Sequence, residues 1–186
     1  MTASVNNKLS YELAKTMQRL WADHAMWMRQ YMVAAVDERP EAAEAAARLL
    51  RNADDIGNTF EDYYSRRVAR RVAKLLRQHA VVAIDLVDAA RRVDRAKFAN
   101  IDAVWTSNGE DLVDELCARN ESWSNQELLT AWESVRQFTK NELTARLEQN
   151  FDRDVEAFDH VLSATMDFGD HITDGILRQF ADEFAA

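Results

Sequence analysis

Residues that make sharp turns and crosslinks are scarce in this chain of 186 residues, which has one cysteine, one proline and four glycines. The single Cys117 excludes an intrachain disulfide and any C-x-x-C metal knuckle, and it fits a reducing compartment. So few glycines leave no G-x-G-x-x-G and no G-x-x-x-x-G-K, which removes the two common phosphate-cradling devices. They are also too few for a turn-rich β protein. No apolar run approaches the ~20 residues that span a bilayer, and the opening "MTASVNNKLS" lacks the apolar core of a signal peptide. A soluble, cytoplasmic protein is expected. Basic residues are outnumbered, 23 against 32, and the net charge of −9 argues against general affinity for nucleic acid. Familiar catalytic motifs are missing too. There is no H-E-x-x-H, and "EAFDH" sets Glu156 four residues before His160, outside the E-x-x-H spacing of di-iron bundles. No serine stands in a G-x-S-x-G elbow, and Cys117, with Arg119 as its one basic neighbour, is a poor nucleophile.

Helical periodicity fills the chain. Leu13, Met17, Leu20, His24, Trp27 and Tyr31 step by four and three, one face of a helix that Asp37 to Pro40 break. The pieces 41–50 and 51–64 follow. Val68, Val72, Leu75, His79, Val82 and Leu86 form the seam of a second long helix over 66–92. Two short stretches, 95–105 and 107–116, lead to a third long helix with Ser124 as N-cap and Glu127 in a capping box. The last helix spans about 152–183. The reading is a single all-α domain over 1–186: an antiparallel bundle of four long helices, with shorter helices in the first two connections. Residues 1–8 read as a disordered tail. Arg67, Arg70, Arg71, Lys74 and Arg77 share one face of the second long helix and read as a solvated face rather than a nucleic-acid or membrane contact.

An internal repeat carries the functional reading. Asn52-Ala-Asp-Asp55-Ile56 and Asn108-Gly-Glu-Asp111-Leu112 lie 56 residues apart, and His24 and His79 lie 55 apart. A weaker third copy runs from Val135 to Asp170, where Asp167 and Asp170 echo the N-x-x-D spacing. Both histidines occupy apolar seams. If each N-x-x-D segment folds back on the preceding helix, Asp55 and Asp111 approach the imidazoles, Asp170 joins from the last helix, and Asp159 lies on its same side. Two imidazoles with two or more carboxylates suit a divalent metal such as iron, manganese or zinc. Without metal, an imidazole–carboxylate pair suits general acid–base work, and haem between the histidines is a weaker alternative. A bland account competes: Asn52 and Asn108 are good helix N-caps, and Asp55 and Asp111 favour the positive end of the dipole. His160 and His171 read as surface residues. The rival function is a non-enzymatic interaction or scaffold protein, a homo-oligomer or a docking partner, with an apolar edge of Ile172, Ile176, Phe180 and Phe184.

Trp21-Ala-Asp-His24 with Trp27, Leu49-Leu50-Arg51-Asn52 leading to Asp55, Asn108 through Asp111, Trp123-Ser124, Thr139-Lys140-Asn-Glu142, and Thr173-Asp-Gly175-Ile176 with Gln179-Phe180 are shared features. Through them the chain resembles a family of small, uncharacterised, all-helical bacterial proteins with repeated W-x-x-H and N-x-x-D segments, over about residues 20–180. The resemblance implies an all-helical fold and no particular reaction. It also implies a third histidine position where Val135 stands, one ligand fewer for this chain.

Overall fold

A computed structural model describes residues 2–185, with side chains for 8–184. Its helices are α1 (Thr2–Val36), α2 (Ala42–Thr59), α3 (Arg66–Arg91), α4 (Arg95–Cys117), α5 (Asn125–Leu147), α6 (Phe151–Gln179) and the short α7 (Ala181–Ala185), with a 3-10 turn at Phe60–Asp62. The described residues contain no strand, and none of their helices is long and apolar enough to cross a membrane. The tail expected over 1–8 falls at the edge of this range: Met1 lies outside the described residues, and over 2–7 the backbone follows α1.

Two sequence expectations change. Residues 95–117 form one helix, not two pieces, and α2 runs unbroken through Asn52 to Thr59. Asn52 and Asn108 are therefore not N-caps. They sit mid-helix and are buried, each with a partner on another helix that outweighs the turn preference of asparagine. The expected cap at Ser124 is present, its hydroxyl accepting from Glu127 N at 3.4 Å.

One device ends three helices. Glu38, Val93 and Gln149 each adopt φ 56°. The next residue then bonds back over the helix end: Arg39 N to Ala34 O at 2.8 Å, Asp94 N to Ala89 O at 3.0 Å, Asn150 N to Ala145 O at 2.9 Å. This is the Schellman arrangement, which satisfies carbonyls left open at a C-terminus. Asp94 and Asn150 then cap the following helix, accepting from Lys97 N at 3.0 Å and Arg153 N at 3.2 Å. A stop and a start in so few residues turn the chain straight back, so α1–α2, α3–α4 and α5–α6 pair closely. Further contacts of α2 with α3, α4 with α5, and α6 with α1 close the set into a ring.

Trp21, Trp105, Trp132, Phe60 and Phe168 are wholly buried at its centre. Each such ring removes about 150–250 Å² from water, about 4–6 kcal/mol at ~25 cal/mol/Å² before entropy. Two glycines make the fit possible. A methyl group at Gly169 would stand 2.4 Å from Trp21 Cδ1, and one at Gly109 would stand 2.6 Å from Trp132 Cδ1. The Cδ1 edge of each indole lies close against the backbone of a neighbouring helix.

Candidate functional site

His24 on α1 and His79 on α3 are 5% and 2% exposed, and their rings lie 6.3 Å apart between centroids. The seam positions do bring the two imidazoles together. What meets them from α2 and α4 is amide, not acid. Asn52 donates from Nδ2 to the Leu20 carbonyl at 2.9 Å, one turn before His24. That fixes its Oδ1 toward the imidazole, so His24 Nδ1–H donates to it at 3.0 Å and the ring is held as the neutral Nδ1–H tautomer. Burial pushes His24 down to about 4, against the opposing effect of its hydrogen bond to Asn52.

The α3–α4 pair repeats this with a looser fit. Asn108 Nδ2 donates to the Leu75 carbonyl at 3.2 Å, one turn before His79. His79 Nδ1 and Asn108 Oδ1 are both buried without a hydrogen-bond partner. Burial, then His24, then Arg136 hold His79 well below its ordinary value. Trp132 and Trp105 pack on it at 4.5 and 4.9 Å between centroids, and Trp21 meets His24 edge-on at 6.0 Å. The indole N–H groups of Trp21, Trp105 and Trp132 make no hydrogen bond.

The proposed carboxylates lie elsewhere. Asp55 is exposed and pairs with Arg48 at 3.4 Å. Asp111 and Asp159 are exposed, and half-buried Asp170 accepts from Gln18 Nε2 at 3.3 Å. The buried stripe of α2 is Leu49, Asn52, Ala53, Ile56 and Gly57, and that of α4 is Trp105, Asn108, Gly109, Leu112, Val113 and Leu116. An aspartate three residues after the asparagine falls off either stripe. Among the described residues no group of three or more His, Cys, Asp and Glu is placed to hold a metal ion. The last helix also differs from expectation. Ile172 and Ile176 are buried, while Phe180 packs on Tyr63 and Tyr64 and Phe184 on Tyr63, so its apolar edge is covered by the chain itself. His160 and His171 are exposed, as expected.

A second polar centre joins α1, α5 and α6. Arg29 meets Glu142 at 2.5 Å and forks onto Asp154 at 2.8 and 3.3 Å. Arg146 joins Asp154 at 3.3 Å and Asp37 at 2.5 Å. Glu142 and Asp154 are buried. Burial drives the Glu142 carboxyl up to about 7, chiefly against the attraction of Arg29, and the Arg29 guanidinium is itself raised by these carboxylates despite its partial burial. Sequence reasoning missed this centre. Its signal is Glu142 standing on the seam of Val135, Thr139 and Leu143.

A groove of about 810 Å³ runs across α2, α3 and α4. Ala73, Val81, Val82 and Val104 supply its apolar surface, and buried Asn108 is also on its lining. Arg77 is bound to Asp54 at 2.7 Å and to the Leu50 carbonyl at 3.2 Å. Arg70 and Lys74 make no ion pair among the described residues. Compared with protein-family models, with curated proteins and with solved structures, the chain matches none.

Proposed function

We propose that this chain is a cytoplasmic, non-enzymatic docking protein that receives an acidic amphipathic helix in the α2–α3–α4 groove. One observation carries the reading: in a chain of net charge −9, Arg70 and Lys74, which make no ion pair among the described residues, stand one turn apart beside an apolar trough that Asp54 and Asp111 also line. Apolar contacts hold such a partner, and the cations select its charge and orientation. In this reading the His24–Asn52 and His79–Asn108 pairs fix how the two helices of each hairpin meet.

The same reading includes a threefold repeat of helix hairpins. Trp21, Leu76 and Trp132, His24, His79 and Val135, and the left-handed Glu38, Val93 and Gln149 all recur 55 and then 56 residues apart. On the returning helices Asn52, Asn108 and Phe168 correspond, as do Ile56, Leu112 and Ile172. The third hairpin thus substitutes an apolar Val135–Phe168 pair for histidine and asparagine.

A metal or small ligand at the imidazoles is the weaker reading. Two histidines and two amides lack the carboxylates that iron or manganese favours, and zinc would have two of its usual four donors. Stoichiometric metal in the purified protein, lost in both His24→Ala and His79→Ala, would move the function back to the interior.

The docking test is a fluorescence-anisotropy titration with a labelled leucine–glutamate helix, against its leucine–lysine counterpart. The acidic helix is expected to bind at least about tenfold more tightly, and Arg70→Glu with Lys74→Glu to weaken it about tenfold. Equal binding of both peptides, or indifference to the substitutions, overturns the reading.

A further inference from the structure

Resting on that docking reading, we infer that the occupant of the groove is a second copy of this chain, through the start of its α6. The first turns of α6 carry an exposed apolar strip. Phe151 and Val155 are 55% and 54% exposed and stand one turn apart. At 100° per residue, Asp159, Asp152 and Glu156 follow them round the helix within the next roughly 100° of arc, and all three are exposed. The result is an apolar edge bordered by an acidic one. Asp152 has a local explanation, since an acid is favourable at the positive end of a helix. The exposed Phe151 and Val155 have none. Arg146 lies over the Phe151 ring, at 5.1 Å from the centroid, and the ring remains more than half exposed.

The groove offers apolar and basic side chains to this ridge, with Asp54, held by Arg77, and Asp111 also on its lining. Val81 and Val104, 45% and 56% exposed, offer apolar surface to Phe151 and Val155. Arg70 and Lys74 on α3 are four residues apart, the spacing of Asp152 and Glu156 on α6. A helix laid along α3 can therefore match two charges in one register. Arg153 points beyond the acidic edge and is occupied by Glu148 at 3.6 Å.

The match cannot be made within one molecule. Arg29 and Arg146 pin Asp154, next to the strip, against α1 and α5, whereas the groove is lined by α2, α3 and α4. The contact is therefore heterologous, the groove of one copy taking the ridge of the next, and it closes into a ring or extends as a chain. A single helix turn or two in a trough buries less than the ~1,200 Å² of a standard stable interface, so the association is weak.

The test is sedimentation velocity of the full chain over a concentration series reaching about 1 mM. The mass average is expected to rise with concentration. It should stay monomeric for Asp152→Lys with Glu156→Lys, and for Arg70→Glu with Lys74→Glu. Mixing these two charge-reversed proteins should restore association, because a reversed ridge then faces a reversed groove. All are surface changes, and circular dichroism checks that each protein is folded. A wild-type chain that stays monomeric throughout overturns the inference, as does association untouched by either reversal. If that monomeric chain still binds the acidic peptide, docking survives and the partner is another protein. If the peptide fails as well, both fall.

Discussion

An imidazole sealed among indoles depends on its one polar neighbour, and the two asparagines are unequal in that role. Asn52 accepts from His24 and donates to Leu20, whereas Asn108 makes only the donation to Leu75. Asn52→Leu strands a buried N–H and should cost about 2–3 kcal/mol, while Asn108→Leu, which removes no bond from His79, should cost about 1 kcal/mol. Urea unfolding of the two variants measures the difference, and equal losses would contradict it. The same pair marks how far the site was legible in sequence. Seam spacing located His24 and His79 because burial on a helix face follows from periodicity. It then favoured Asp55 and Asp111 because a carboxylate looks like the ligand, although both fall off the buried stripe. Glu142 and Asp154 were invisible for a related reason. A charge reads as surface until Arg29 and Arg146, from distant parts of the chain, are brought beside it.

Among the elements, the long helices were readable and their internal joints were not. Asn52 and Asn108 looked like helix starts because asparagine alone prefers a turn, and that preference is local. A carbonyl on the neighbouring helix reverses it, and no window of sequence contains that carbonyl. The helix ends tell the opposite story. Left-handed residues at Glu38, Val93 and Gln149 lack the glycine that announces such a cap, so geometry alone identifies them. Val93 is the strained member, since a β-branched side chain at positive φ crowds its own backbone. It is also 75% exposed, so no packing depends on it. Val93→Gly should therefore raise stability by about 1 kcal/mol, the relief of the left-handed strain less the greater freedom of glycine in the unfolded chain. Thermal melting checks this, and a lower midpoint would mean that the side chain contributes more than the strain it carries.

For the molecule as a whole, the two buried centres pull stability in opposite directions as pH changes. His24 falls from 6.5 unfolded to about 4 folded, so between these values the unfolded chain binds more protons. Stability from this group is complete above pH 6.5 and is lost as pH drops toward 4; His79 acts in the same direction. Glu142 rises from 4.5 to about 7, so there the folded chain binds the extra proton. Its contribution is complete below pH 4.5 and is lost as pH rises through 7. His24 and Glu142 each represent about 3 kcal/mol, so wild-type stability should rise only gently across pH 4.5 to 6.5. Glu142→Gln removes the descending contribution and leaves the histidines unopposed, so its stability should climb more steeply over the same range. Urea midpoints followed by tryptophan fluorescence report this directly, because Trp21, Trp105 and Trp132 surround the histidines and are exposed when the core opens. If the variant and the wild type trace parallel curves, Glu142 is ionised in the folded protein across that range, and Arg29 then outweighs its burial.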